Sequence, residues 1–312
     1  GRFDGTRWKY WLTAVGGGAG PCRAPACDAD TSFLNPAFAF ALVEDDSGRV
    51  WLSNWGVTDD QVRNPGALER IDDSTDPPSF DRISHWPDTL TVASVRHTFG
   101  VGSTRDSLGG IWIGMDSAER ENPDFTPIGI DRYDRYGNWV ATYGPSSDGL
   151  ITGRVMALTT DFNGTIWIAT AGGGVQYFTW SSSSQAPVFQ RVSPTDNVDV
   201  RGIAVAGDSV WAQTTNDVRI YTRRSPTLQV KLPVPAAPSE NAGNTVEVAP
   251  DGSIWVGTVN GIRVYNRNGT IRTDYTVANS PLGSDDIRVI RTDRATGQIW
   301  VGTSAGLSRF DP

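Results

Sequence analysis

Gln298-Ile-Trp300-Val-Gly-Thr-Ser-Ala-Gly-Leu-Ser-Arg-Phe-Asp311 is the stretch that decides the fold. It reads as an apolar run around a tryptophan, a turn ending in glycine, and a second alternating run ending on an aromatic and an aspartate. That pattern is two antiparallel strands joined by a tight turn. The phrase recurs as Gly48-Arg-Val-Trp51-Leu-Ser, Gly110-Ile-Trp112-Ile-Gly, Gly164-Thr-Ile-Trp167-Ile-Ala-Thr, Asp208-Ser-Val-Trp211-Ala-Gln-Thr and Gly252-Ser-Ile-Trp255-Val-Gly-Thr. Successive tryptophans lie 61, 55, 44, 44 and 45 residues apart. A period near 44 with two longer members is that of a four-stranded propeller blade.

The flanks complete each unit. An apolar strand precedes the tryptophan, as in Val155-Met-Ala-Leu158 and Ile287-Arg-Val-Ile290. Asp45-Asp-Ser-Gly48, Asp161-Phe-Asn-Gly164, Pro250-Asp-Gly252 and Asp293-Arg-Ala-Thr-Gly297 then supply hairpin turns, because Asp and Asn make local turns and Gly accepts positive φ. A third strand follows, as in Gly261-Ile-Arg-Val-Tyr265, and a fourth, as in Asn138-Trp-Val-Ala-Thr-Tyr143. No segment carries a helical period. The expected fold is all-β: a six-bladed propeller of four-stranded antiparallel blades, one domain over 1–312. The blades fall at about 35–90, 91–145, 150–193, 197–233, 241–277 and 282–312 plus 5–13. The last unit stops after its third strand, so the N-terminal strand Thr6–Leu12 is expected to pair onto it and close the ring, removing exposed edges. The other reading is a six-blade fragment of a longer chain.

Composition narrows the function. The 312 residues carry a net charge of −8, and 25 of the 27 basic residues are arginine. Without a basic run, neither nucleic acid nor an anionic membrane surface finds a matching field. No stretch approaches 18 apolar residues, so the chain itself is not expected to insert into a membrane. Cys22 and Cys27 flank a proline-bearing loop that a local disulfide would close, the alternative being two free thiols. The disulfide is the expectation, and it favours an oxidising compartment.

These repeats resemble the bacterial two-component-regulator propeller family, whose units run through an Asp-rich turn, Ile-Trp-Val-Gly-Thr, then Gly-Leu-x-Arg-Phe/Tyr-Asp. The unit ending at Asp311 matches almost throughout, and the unit around Trp255 nearly as well. Those around Trp51, Trp112 and Trp211 are degenerate. The resemblance implies an extracytoplasmic, periplasmic or secreted, sensing or interaction module of a bacterium.

The chemistry-bearing residues are sparse. The six repeated tryptophans are expected to pack between blades, and the Asp-x-x-Gly turns have too few oxygens for calcium. His85 and His97 are the two histidines, read on an outer strand and on the next inner strand. Streptogramin lyases are propellers with a similar strand phrase that use His, Glu and a divalent metal, but that constellation finds no residue-by-residue match here. No phosphate loop, nucleophile elbow or metalloprotease motif is present. No cofactor or metal is expected.

The informative departures are two long second-to-third-strand connections, which emerge on one face of adjacent blades. The first holds Trp55, Asp59, Asp60 and Arg63; the second holds Glu119, Arg120, Glu121, Asp124 and Phe125. Arg and aromatic anchors amid carboxylates suit a protein contact. The reading is a non-catalytic accessory or scaffold subunit that binds another protein or a membrane-associated complex. The alternative is a sensor of a sugar or peptide, using a central funnel with Arg154 and Asp286 at equivalent inner-strand starts. A metal-dependent lyase or hydrolase comes third.

Overall fold

The structure, a computed structural model, describes residues 38–55, 67–72, 74, 78–83, 99–116, 129–145, 148–180, 186–194, 197–240, 242–293 and 295–311. It also describes short strand segments at 2–3, 8–9, 11–13, 30–34, 57–58 and 63–64. Among these residues there is no helix. Six antiparallel sheets follow one another as the blades of a propeller. Their inner strands are Phe38–Glu44, Phe99–Arg105, Val155–Thr160, Val200–Ala206, Val246–Val248 and Ile287–Thr292. Each inner strand pairs outward with a tryptophan strand, then a third strand; five sheets add a fourth, and the last holds three strands among the described residues.

The N-terminal segment takes a different place from the one expected. Arg2–Phe3 pairs with Trp8–Lys9 as a local ladder, and Trp11–Thr13 pairs in parallel with Asp30–Leu34. The described residues of the expected closing strand are thus engaged elsewhere than on Gly306–Phe310. Closing a loop of a few residues costs little chain entropy, which favours the local pairing.

The tryptophans pack across blade boundaries, as their fixed period predicts. Trp51 meets Tyr133 of the next blade at 5.8 Å, Trp112 meets Phe178 at 4.9 Å, Trp211 meets Tyr265 at 5.9 Å and Trp255 meets Phe310 at 5.1 Å between ring centroids. Trp167 shares a buried cluster with Tyr221. Each partner is the aromatic near the end of a third strand, so one register position per blade locks onto the next. Trp300, at the seam, is only partly buried.

A carboxylate anchors the indole in the first three blades. Asp45 Oδ1 accepts the backbone N–H groups of Ser47 (2.8 Å) and Arg49 (3.1 Å), while Oδ2 accepts the Trp51 indole N–H (3.0 Å). Asp106 does the same for Leu108, Gly110 and Trp112, and Asp161 for Asn163, Thr165 and Trp167. An arginine neutralises each carboxylate: Arg49 at 2.9 Å, Arg132 at 3.5 Å and, from the following blade, Arg223 at 3.3 Å. Arg132 also lies over the Trp180 ring, 4.6 Å from its centroid. A planar guanidinium can bridge a carboxylate and cover an aromatic face at once, which gives the preference for arginine over lysine a structural use. In blade five, Asp251 holds the Ser253 hydroxyl (2.6 Å), which accepts the Trp255 indole N–H (3.1 Å). The shortened hairpin Ala206-Gly-Asp208 brings no such acceptor, and the buried Trp211 indole N–H finds no hydrogen-bond partner among the described residues.

Inner strands approach one another closely where side chains are small. A Cβ on Gly102 would stand 2.8 Å from the backbone of Ala157 in the next blade.

Candidate functional site

Two ends of the propeller present different chemistry. At the end carrying the second-to-third-strand connections, four blades close with a tight turn set by one threonine. Thr170, Thr214, Thr258 and Thr303 each donate a hydroxyl hydrogen bond back to the carbonyl that restarts the chain, at Gly174 (2.8 Å), Asp217 (3.1 Å), Gly261 (3.0 Å) and Gly306 (3.0 Å). Each threonine sits three residues after its tryptophan. In the first two blades that position is Asn54 and Met115, and there the connection is long. In blade one it continues as a two-stranded ribbon, with Val57 opposite Asn64 and Thr58 opposite Arg63. Trp55 ends the tryptophan strand opposite Phe38, and Arg63 lies on the returning strand of the ribbon. Asp59 and Asp60 fall between the two strands of the ribbon, outside the described residues. Arg120, Glu121, Asp124 and Phe125, along with Glu119, also lie outside them, as do Cys22, Cys27, His85 and His97.

Arg154 and Asp286 immediately precede the inner strands Val155–Thr160 and Ile287–Thr292, as the sequence implies. Asp286 pairs with Arg288 at 2.5 Å. Neither Arg154 nor Asp286 lines the central cavity, which lies toward the opposite end of the inner strands.

That cavity, about 480 Å³, is bounded by all six inner strands. Strand register explains which residues reach it. The residue paired with the repeat tryptophan is Val43, Thr104, Thr159, Ala204, Glu247 or Arg291, one per blade, and all six line the cavity. Four are neutral; the charged two stand on adjacent blades. Arg291 Nη1 lies 4.0 Å from Glu247 Oε2 and donates to the carbonyls of Asn244 (3.2 Å) and Ile290 (2.8 Å). Surrounding protein mass draws the Arg291 pKa down by desolvation, and the Glu247 charge partly opposes this. The side chain nevertheless keeps 51% of its surface open, because the protein around it encloses a channel instead of a packed core. The walls are strapped across blades: the Asn244 amide makes a two-way pair with the backbone of Ile203, accepting from its N–H (2.9 Å) and donating to its carbonyl (2.8 Å). Thr104 and Thr160 hydroxyls meet at 2.8 Å.

Sequence reading missed Glu247 and Arg291. The available signal is an offset from the tryptophan, eight residues before it in four blades, but seven for Ala204 and nine for Arg291 as hairpin length changes.

A six-bladed propeller with a polar channel is an architecture that serves binding proteins and enzymes alike. No protein-family model matches the sequence, and no curated protein matches it. Solved structures do share the fold. They include the extracellular domain of a hybrid two-component system protein from B. thetaiotaomicron (14% identity over 89% of this chain and 39% of that one, TM-score 0.53). PorZ, a surface component of the type-IX secretion system of Porphyromonas gingivalis, is similar at 16% identity over 88% of this chain and 38% of its own (TM-score 0.59). Virginiamycin B lyase from Staphylococcus aureus is similar at 16% identity over 88% and 84% (TM-score 0.56). The chain spans under two fifths of the first two proteins. An extracellular sensor domain of the class the repeats resemble thus shares its fold, and so does an enzyme. Among the described residues, no group of three or more His, Cys, Asp or Glu is placed to hold a metal, and no helix is long and apolar enough to cross a membrane.

Proposed function

We propose that this chain is a non-catalytic recognition module acting outside the cytoplasm, one domain that docks another protein of an envelope assembly through the loop face of its first two blades. The ribbon that extends blade one beyond Trp55 carries the reading. It forms where the turn-closing threonine is absent, and blade two, its neighbour, has the same lack and the same long connection on the same face. A paired ribbon holds its residues in place before contact, which lowers the ordering cost of binding. Trp55, Asp59, Asp60 and Arg63 would belong to that ribbon, and Arg120, Glu121, Asp124 and Phe125 to the neighbouring connection. The ring behind it is a rigid support, since the buried carboxylates Asp45, Asp106 and Asp161 are engaged by indole, backbone and guanidinium donors. The extracellular and surface proteins that share the fold are consistent with such a role.

The test is co-purification from the native host envelope. Replacing Trp55, Arg63, Arg120 and Phe125 together by Ala is expected to release the partner while circular dichroism and the melting temperature stay unchanged. Undiminished co-purification by the folded variant overturns the reading. A second reading, small-ligand sensing, is favoured by the charged pair in the channel and is independent of the loop face.

A further inference from the structure

We propose that the central channel is a binding site for a small organic monocarboxylate, whose carboxylate group docks on the Nε–Nη2 edge of Arg291. Among the described residues, three ionisable side chains line the cavity: Arg105 on blade two, Glu247 on blade five and Arg291 on blade six. Two guanidinium groups against one carboxylate leave the wall with one positive charge in excess. The partners each group already has decide where that charge is available.

Arg105 and Glu247 are both engaged. Arg105 Nη1 pairs at 3.0 Å with Oδ1 of Asp46, a hairpin carboxylate outside the cavity wall, and Glu247 has a partner besides Arg291. Arg291 is the group with donors to spare. Its two hydrogen bonds both leave from Nη1, to the carbonyls of Asn244 (3.2 Å) and Ile290 (2.8 Å), and they fix the guanidinium plane. Glu247 Oε2 stands 4.0 Å from the same Nη1, beyond hydrogen-bond reach. Nε and Nη2 lie on the other side of the fork, where they form the parallel pair that takes a carboxylate in bidentate fashion. Neither makes a hydrogen bond to a described residue, and half of the side chain is open to the channel. Desolvation draws the Arg291 pKa down, and an anion on the open edge would supply what the charged form lacks.

Charge and size set the ligand class. A cation would face two guanidinium groups, and a neutral molecule would leave the open edge of Arg291 desolvated without an ionic partner, at a cost. A dianion would exceed the single excess charge of the wall and bring its second charge toward Glu247. A monocarboxylate matches the excess, and on the Nε–Nη2 edge it sits across the guanidinium from Glu247. The cavity, about 480 Å³, falls within the roughly 300–1,000 Å³ range of small-molecule sites and leaves room beyond the carboxylate for a body of several carbons. Leu42, with 60% of its surface open, gives that body an apolar wall together with Val205 and Val248, and Thr159 adds a hydroxyl. The assignment rests on the small-ligand reading of the channel and not on the loop face.

The experiment is calorimetric titration and saturation-transfer NMR of the full chain with four probe sets: the monocarboxylates acetate, lactate, butyrate and benzoate; the neutral amides butyramide and benzamide; butylammonium; and the multivalent anions phosphate and sulfate. At least one monocarboxylate should bind with a Kd of about 1 mM or tighter, and its amide at least about tenfold more weakly, the loss of one ionic contact. Arg291→Gln should remove binding. Arg291→Lys, which keeps the charge but not the fork, should restore part of it. Arg105→Gln should weaken binding by about threefold or less, because Asp46 already holds that guanidinium. Failure of every monocarboxylate to bind at about 10 mM, unchanged affinity in a folded Arg291→Gln protein, or a larger loss from Arg105→Gln than from Arg291→Gln overturns the proposal. Binding of an amide, of butylammonium or of phosphate as tight as that of the best monocarboxylate overturns the ligand class while leaving the channel a small-ligand site. None of these outcomes bears on the loop face, whose variants are tested separately.

Discussion

Replacing Asp106 by Ala should destabilise the protein by about 4–5 kcal/mol. Its side chain is fully buried and its carboxylate accepts four donors: the N–H groups of Leu108 (2.9 Å) and Gly110 (2.8 Å), the Trp112 indole (2.8 Å) and the Arg132 guanidinium (3.5 Å). Water can reach the Leu108 end of the turn, but Gly110, Trp112 and Arg132 are buried. Each buried donor left unsatisfied costs about 1–3 kcal/mol. Removing one partner of a buried ion pair costs about 3–5 kcal/mol, a figure that overlaps with the first and is not added to it. Asp134 provides an internal control. It occupies the same Asp-x-x-Gly setting in the same blade and accepts from Tyr136 N, Asn138 N and Asn138 Nδ2, each at 2.9 Å, but at the surface. Water replaces a lost acceptor there, so Asp134→Ala should cost about 1 kcal/mol. Urea unfolding followed by tryptophan fluorescence measures both, with the midpoint compared at constant slope. If the two variants agree within about 0.5 kcal/mol, burial does not set the value of this turn and the argument fails. A double-mutant cycle with Trp112→Phe should show coupling of about 1–2 kcal/mol.

Two further outcomes are expected. Burial alone would raise the Asp251 pKa, but hydrogen bonds from Ser253 and Arg272 overcome it and hold the group down at about 2, below the usual 3.8. Its stabilisation is therefore complete above pH 4 and fades as pH falls through 2; with 43% of the side chain exposed, screening leaves about 1 kcal/mol. Asp251→Asn should be less stable than wild type at pH 7 by that amount, and urea midpoints should converge near pH 2; a gap independent of pH refutes the assignment. Gly102→Ala forces the inner strands of blades two and three apart, since the new Cβ would lie 2.8 Å from backbone. A loss of about 2–3 kcal/mol by urea unfolding is expected from such overpacking, and a loss under about 0.5 kcal/mol would show that the strands are not in close contact.

The blades were legible because their determinants are local and repeated. Trp255 and Trp300 share one phrase, one turn and one strand register, so the period alone places them between blades, where Tyr275 and Phe310 surround Trp255. The threonines that close the tight connections were on the page as well, three residues after each tryptophan, and their absence at Asn54 and Met115 marks the long loops. The turn aspartates were read as turn formers; their grip on the indole depends on the hairpin folding back to bring Asp106 and Trp112 together. The N-terminal strand was misplaced because several partners suit one short alternating segment, and its pairing is a competition between a local ladder and a distant edge.

Sequence alone therefore determined the blade count, the antiparallel order and the faces from which the long loops leave, since periodicity and turn chemistry are properties of contiguous residues. Only the tertiary structure decided the channel. Glu247 and Arg291 stand 44 residues apart, and neither has a motif around it. They become a charge pair because blades five and six lie side by side, and hairpins of unequal length shift which residue each inner strand turns toward the axis.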